Sequence, residues 1–331
     1  MVLFTCAGQR VDVLRAFRDA GADTVAADVD PLAPALSYAD HAVTPPRVDD
    51  AAYIPFLAEL VRHRDVGLVV PLTDLDQLVL TRRRAELDAL VLLPEAHVVE
   101  TTNDKYRAHQ FFERHGIDSP ATWLPEQLPA ELEFPVLVKP RHGFGSRDIH
   151  RANDRSELEF FLRYTAVPSM VQRVCPGEEF SIDVFCDLEG RCLNAIPRTM
   201  IESKGGESIK GASIKDWVLI EVGRHVSETL RIVGPATVQC FRTPEGRHEV
   251  TDVNARFGGG FPVHWASGGG YAELALALAA GERPAPRLGE FQEGVFMTRF
   301  FWQAALTKEP GGSLGPLPAE LPEPVGGEPL P

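Results

Sequence analysis

The sequence has no C-x-x-C pair, and its five cysteines (Cys6, Cys175, Cys186, Cys192, Cys240) are odd in number and scattered. That argues against a zinc ribbon or a disulfide frame and predicts reduced thiols within strands. Basic charge is scarce: 33 Lys and Arg face 47 Asp and Glu, a formal net charge of -14. Nucleic acid and anionic membranes are therefore poor partners. No apolar run approaches a membrane span, and Met1-Val2-Leu3-Phe4 is too short for a signal segment. The expectation is a soluble, cytoplasmic protein. Two nucleotide motifs are missing as well. Thr5-Cys6-Ala7-Gly8-Gln9-Arg10 has one glycine where a dinucleotide fingerprint needs three, although Asp28 lies at a ribose-binding distance along the chain. No G-K-[ST] occurs, which excludes a Walker loop.

What is present centres on Val250-Thr251-Asp252-Val253-Asn254-Ala255-Arg256. Read as a strand, it sets Asp252, Asn254 and Arg256 on one face and Thr251, Val253 and Ala255 on the other. Such a row is either a solvated face or a site for a hard divalent cation beside a phosphate, since oxygen donors suit the first and a guanidinium the second. The preceding run, Ala236–Phe241, forms a hairpin with His248–Val253 around Pro244-Glu245-Gly246-Arg247. A turn centred between Glu245 and Gly246 would put Gln239 opposite Asp252, and a slip of one residue would undo the set.

Earlier in the chain, strands at Val2–Thr5, Thr24–Ala27, Gly67–Pro71 and Leu90–Leu93 alternate with helix-length segments, the pattern of a parallel sheet. Pro71-Leu72-Thr73-Asp74-Leu75-Asp76 follows a strand's carboxyl end, where it either meets substrate or simply opens a helix. A helix begins near Lys105, capped by Thr102 or Asn103; a cation in its first turn opposes the helix dipole unless an anion lies nearby. Phe134–Pro140 reads as a strand with a lysine, Lys139, at its end, before Gly143-Phe144-Gly145-Ser146, a phosphate-cradling loop or a hairpin turn. Phe180, Ile182, Val184 and Cys186 alternate with Glu179, Ser181 and Asp183, a strand with one polar face. Glu202–Asp216 reads as a mobile loop carrying Lys204, Lys210 and Lys215, and Gly294–Trp302 as a last strand. Beyond Thr307 the composition is dominated by proline and glycine, which predicts a tail without fixed structure.

Taken in order, these pieces resemble the ATP-grasp superfamily, in the branch of carbamoyl-phosphate synthase and amino-acid ligases, over nearly all of residues 1 to 305. The resemblance implies an N-terminal Rossmann-like pre-ATP-grasp domain (1–98) and an ATP-grasp domain (99–306) of α/β and α+β character. That domain would comprise a lid subdomain at about 120–170 and a C-terminal lobe at about 171–306, two lobes with antiparallel sheets, followed by the tail 307–331. It also implies roles. Lys105 and Lys139 would meet the ATP phosphates under the loop of Gly143, Gly145 and Ser146. Gln172 and Val174 would read adenine, and Glu179 the ribose. Gln239, Asp252 and Asn254 would hold Mg2+ (or Mn2+), Arg256 the transferred phosphate, with Lys204 and Arg198 near substrate. Asp252 stands where relatives more often have glutamate, and Ala255 where many have proline.

The implied reaction is ATP-dependent activation of a small-molecule carboxylate as an acyl phosphate and its ligation to an amine, releasing ADP. Homodimers are common in the family. Competing readings are carboxyphosphate formation from bicarbonate, a non-catalytic ATP-binding regulator, and, more remotely, a nicotinamide oxidoreductase.

Overall fold

Short apolar runs alternating with amphipathic segments build the first ninety residues into a parallel sheet. In chain order these are β1 (Val2–Thr5), α1 (Val11–Asp19), β2 (Thr24–Ala27), α2 (Pro34–Tyr38), β3 (His41–Val43), α3 (Tyr53–Arg64), β4 (Leu68–Pro71), α4 (Gln77–Arg82) and β5 (Leu90–Val91). The order across the sheet is β3-β2-β1-β4-β5, every pairing parallel. β1, β2 and β4 are buried along their whole length, as strands covered on both faces must be. β3, absent from the sequence reading, is only three residues long and partly exposed, with no apolar run to mark it. The order reverses between β1 and β4, so the crevice beyond their carboxyl ends is the sheet's switch point.

The computed structural model describes residues 1–143, 148–204, 207–301, 303, 305–308 and 314–316. After the parallel sheet come α5 (Ala96–Thr102), which contains residue 98, and α6 (Lys105–Arg114). The cap of α6 is Asp104, not Thr102 or Asn103: its carboxylate accepts the N–H groups of Tyr106 and Arg107. Thr102 instead closes α5 by donating to its own helix. A capping carboxylate beside Lys105 offsets the cost of a cation in the first turn.

The next unit is an antiparallel sheet in the order β6-β9-β7-β8, from β6 (Thr122–Trp123), β7 (Val136–Pro140), β8 (His150–Ala152) and β9 (Ser169–Arg173). Helix α7 (Arg155–Tyr164), capped by Asp154, packs on it around a separate small core of Val136, Val138, Ala152, Leu158 and Val171.

The last unit holds β10 (Glu178–Cys186), β11 (Cys192–Thr199), β12 (Glu202–Lys204), β13 (Glu207–Ala212), α8 (Trp217–Leu230), β14 (Gly234–Arg242), β15 (His248–Asn254), α9 (Phe261–Ala266), α10 (Tyr271–Ala279) and β16 (Phe296–Thr298). Its main sheet runs β11-β10-β14-β15, all antiparallel. Helix α8 covers one face so closely that a Cβ on Gly223 would lie 2.5 Å from Ile182. The other face is polar and carries the candidate site.

Three expectations need correction here. The stretch read as a mobile loop, Glu202–Asp216, contains the hairpin β12–β13, and β13 also pairs with β16. A partner nearly ninety residues away supplies the hydrogen bonds that glycine, serine and lysine do not advertise locally. The final strand is shorter than Gly294–Trp302, spanning Phe296–Thr298. Within the stretch expected to lack structure, β17 (Leu306–Lys308) pairs with β18 (Leu314–Pro316). The other residues of that tail lie outside the described ones.

The first and last units share one core. A chain of edge-on aromatic contacts, Phe4–Phe17 at 5.1 Å, Phe17–Phe257 at 6.0 Å and Phe257–Phe261 at 5.0 Å, crosses between them. Arg10, beside it, donates to the carbonyls of Phe257 (2.7 Å) and Gly258 (3.2 Å). This seam holds the switch point of the parallel sheet against the end of β15.

Candidate active site

β14 and β15 bring the expected oxygen donors together. Gln239 pairs directly with Asp252, and Thr237 with Asn254. The route to that register differs from expectation. The outer pairs, Arg242 with His248 through Cys240 with Val250, are offset by one residue, and the unpaired Thr251 restores the alignment as a β-bulge. Val253 and Ala255 point into the core while Asp252, Asn254 and Arg256 stay partly accessible. The same row continues across the sheet through Ser181 to Arg198.

Asp252 is the electrostatic centre. Its carboxylate accepts from Lys105 Nζ at 2.8 Å. Burial opposes its ionisation, but Lys105 and Lys139 outweigh burial and hold the carboxyl below the usual range. Lys139, at the end of β7 and only 7% exposed, is pushed by burial down to about 8, against the support of Asp252 and with Lys105 adding repulsion. Glu179, half-buried at the start of β10, is pushed up by burial, partly countered by Arg198 and Lys139. Two lysines, two carboxylates and two amides thus come from α6, from β7 and from the sheet of β10, β14 and β15.

Asn254 Oδ1 lies 3.5 Å from Arg256, and Arg256 Nε lies 3.6 Å from Asp74 Oδ1, on the loop after β4. The set of Gln239, Asp252 and Asn254 offers one carboxylate and two amide oxygens. Among the described residues no group of three His, Cys, Asp or Glu could hold a metal. A donor set this poor in charge fits a hard cation that arrives with phosphate oxygens of its own, as magnesium does.

The remaining sequence candidates fall at different removes. Gln172, buried in β9, donates to Thr122 Oγ1 at 2.8 Å, and Val174 follows at the strand's exit with its carbonyl taken by Arg173. Gly143 adopts a left-handed φ of 126° just after β7. Gly145 and Ser146 lie outside the described residues, as does the side chain of Lys204, whose backbone ends β12. Arg198 is buried, and its Nε donates to Asp183 Oδ2 at 3.0 Å. Gly260 makes room for it, since a Cβ there would lie 2.0 Å from the guanidinium.

Sequence reasoning did not single out Asp183, Asp104, Arg141 or His264. Asp183 was visible as a polar residue on the strand face that carries Glu179, and that was the available signal. Its Oδ1 accepts from Thr237 at 2.6 Å, in the cross-strand row of Asn254 and one row from Gln239 and Asp252. Arg141 forms a two-point ion pair with Asp104, tying the end of β7 to the cap of α6 and so Lys139 to Lys105.

His264 is buried in α9 between Phe261 and Tyr271, at ring distances of 4.3 and 4.0 Å. Burial drives its pKa down to about 4; Asp183 opposes that, and Arg198 adds to it. The unfolded chain binds this proton near 6.5 and the folded chain only near 4, so the contribution is complete above about 6.5 and fades as pH falls toward 4. Urea melts at pH 7 and pH 4.5 should show His264→Phe losing about 2–3 kcal/mol less stability than the wild type over that interval. Parallel losses in the two proteins would remove His264 as the cause.

Comparison with known proteins now has a geometry to attach to. Residues 2–91 match the PylC-like N-terminal domain, and residues 165–300 match the ATP-grasp in the biosynthetic pathway with Ter operon. The carbamoyl phosphate synthase large chain of Deinococcus radiodurans is 25% identical over 318 residues, covering 86% of this chain and 30% of that protein. The chain thus spans under a third of that relative's length. The biotin carboxylase domain of Hydrogenobacter thermophilus 2-oxoglutarate carboxylase, solved as a dimer with MgADP, ADP and bicarbonate, has a TM-score of 0.72 at 16% identity. It covers 89% of this chain and 73% of that one. L-amino acid ligase from Bacillus licheniformis has a TM-score of 0.68 at 19% identity, covering 88% and 77%. The fold is therefore the two-lobed clasp of ATP-grasp proteins. Within that fold, residues 165–300 carry the ATP-grasp match and residues 2–91 the PylC-like one. Among the described residues no helix is long and apolar enough to cross a membrane.

Proposed function

We propose that this protein joins a carboxylate to an amine at the expense of ATP, through an acyl phosphate. The single observation that carries the reading is the convergence of Lys105 and Lys139 on Asp252, with Gln239, Asn254 and Arg256 on the same face. In-line phosphoryl transfer needs little covalent help from a protein. It needs fixed positions and positive charge around the phosphate oxygens. On this reading Gln239, Asp252 and Asn254 hold the cation, which when bound neutralises phosphate charge. Lys105 leaves Asp252 to meet the phosphates, Lys139 stays beside them, and Arg256 receives the transferred phosphoryl group. Gln172 and the Val174 backbone face the base, and Glu179 the ribose. The loop from Gly143 through Gly145 and Ser146 covers the phosphates, and Lys204 lies near the substrate.

The proposed division is a substrate-side domain at 1–98, the clasp at 99–306 and a tail at 307–331. A cytoplasmic homodimer is the assembly we propose, the dimer following the biotin carboxylase domain named above. A second reading, with bicarbonate as the acid, is favoured by the carbamoyl phosphate synthase and biotin carboxylase likenesses.

The test is purified protein with MgATP, a panel of simple carboxylates and the twenty L-amino acids, and ammonium chloride. ADP release should require an acid, and added hydroxylamine should trap the activated acid as a hydroxamate. Incorporation of labelled bicarbonate instead would favour the second reading. ADP release that no acid stimulates would sink both.

A further inference from the structure

The loop after β4 carries a carboxylate, Asp74, that faces Arg256 of the candidate site. Asp74 Oδ1 is buried and has no hydrogen-bond partner, although Arg256 Nε lies 3.6 Å away. Its position is imposed from both sides. Gln77, wholly buried, donates from Nε2 to the carbonyl of Ala255 at 2.8 Å, clamping the loop onto the end of β15. Asp76, also wholly buried, accepts from Tyr53 OH at 2.7 Å and anchors the loop to α3. Gln77 Oε1, at the start of α4, is likewise buried without a hydrogen-bond partner.

The loop lies at the switch point between β1 and β4, where ligands of parallel sheets bind. An anion is the wrong guest for Asp74. A second anion set against Asp74 would be repelled by it, and a neutral group would not answer its charge once Arg256 turns to the phosphoryl oxygens. The group that fits is a cation standing beside the activated acid, and a ligase brings one: the protonated amine.

We propose that Asp74 binds the ammonium group of the amine substrate and removes its first proton, acting as anchor and general base for attack on the acyl phosphate. This rests on the ligase reading above. The incoming R–NH3+ gives one proton to Asp74, and its freed lone pair forms the C–N bond. The bond from the acyl carbon to the bridging oxygen breaks, and phosphate leaves with that electron pair. The second proton passes from the new amide nitrogen to the departing phosphate, and Asp74 returns its own proton to solvent. Arg256, 3.6 Å away, remains on the phosphoryl oxygens throughout.

Hydroxylamine separates this role from the rest of the site, because it is largely unprotonated at neutral pH and needs neither anchor nor base. Asp74→Asn is assayed with MgATP and whichever panel acid gives hydroxamate in the wild type, against hydroxylamine and against ammonium chloride or L-amino acids. Amide formation should fall about a hundredfold more than hydroxamate formation, the scale of a lost general base. Asp74→Glu, which keeps the charge, should recover at least a tenth of the lost amide rate. Equal losses with both nucleophiles would overturn the proposal and make Asp74 a positioning residue for Arg256. So would an Asp74→Glu enzyme no better than Asp74→Asn. If Asp74→Asn fails to fold, the Asp74→Glu split between the two nucleophiles decides alone. A wild type that forms no hydroxamate fails at the ligase reading itself, a result visible before any variant is made.

Discussion

Asp252→Ala should lower acid-dependent ADP release about a thousandfold or more while the protein still folds. Removing one preorganised charge-stabilising group typically costs a hundred- to a thousandfold, and Asp252 is the one carboxylate among the three metal-ligand candidates. The structural consequence is smaller and has a distinct cause. With Asp252 gone, Lys105 and Lys139 lose the anion that both of them face. Breaking a buried pair by removing one partner can cost about 3–5 kcal/mol. Here the cost should be about 1–3 kcal/mol, because Lys139, already at about 8, sheds its proton more readily and Lys105 reaches water. Lys105→Met combined with Asp252→Ala removes the stranded charge as well. That double variant should regain most of the thermal stability of the wild type and none of its turnover. Recovery of turnover with stability would mean that Asp252 serves the fold and that the site lies elsewhere.

The contrast between turnover and stability also explains what could be read from residues alone. The polar row Asp252-Asn254-Arg256 was legible because strand periodicity acts within a few residues. The pairing of Gln239 with Asp252 was reachable from the hairpin, yet the turn is centred on Glu245 rather than between Glu245 and Gly246. A bulge has no residue-type signature, and Thr251 looks like any β-branched strand residue. The parallel sheet announced itself through apolar runs, whereas β3 is too short and too exposed to show one, and β13 depends on β16, a partner distant in sequence. Asp104 illustrates a competition between neighbours: Thr102, Asn103 and Asp104 all suit a cap, and only the break between α5 and α6 decides among them. Asp74 and Arg256 meet because one sheet's switch point faces another sheet's edge strand, and no local pattern encodes that meeting.

Asp183→Ala should do the reverse of Asp252→Ala, lowering stability by about 3–5 kcal/mol, the cost of stranding a buried charge. Asp183 and Arg198 are each almost fully buried and bonded at 3.0 Å, with no route to water for the guanidinium left behind. Thr237 loses its acceptor at the same time. A shift of this size corresponds to roughly 10 °C in Tm. The pH dependence has a definite sign. Burial alone would raise the Asp183 carboxyl, but Arg198 and His264 outweigh it and the folded-state pKa is lowered. The pair therefore stabilises the protein above the ordinary carboxylate range and ceases to as pH falls through the lowered value, a loss Asp183→Ala cannot show. Replacing both partners, Asp183→Leu with Arg198→Met, should recover much of the lost stability, since apolar residues of similar volume often serve as well as a buried ion pair. Turnover per folded molecule should fall far less in Asp183→Ala than in Asp252→Ala, because Asp183 reaches the metal-ligand row only through Thr237 and the backbone of β14. A thousandfold loss in Asp183→Ala, at temperatures where circular dichroism shows it folded, would instead place the Asp183–Arg198 pair in contact with substrate.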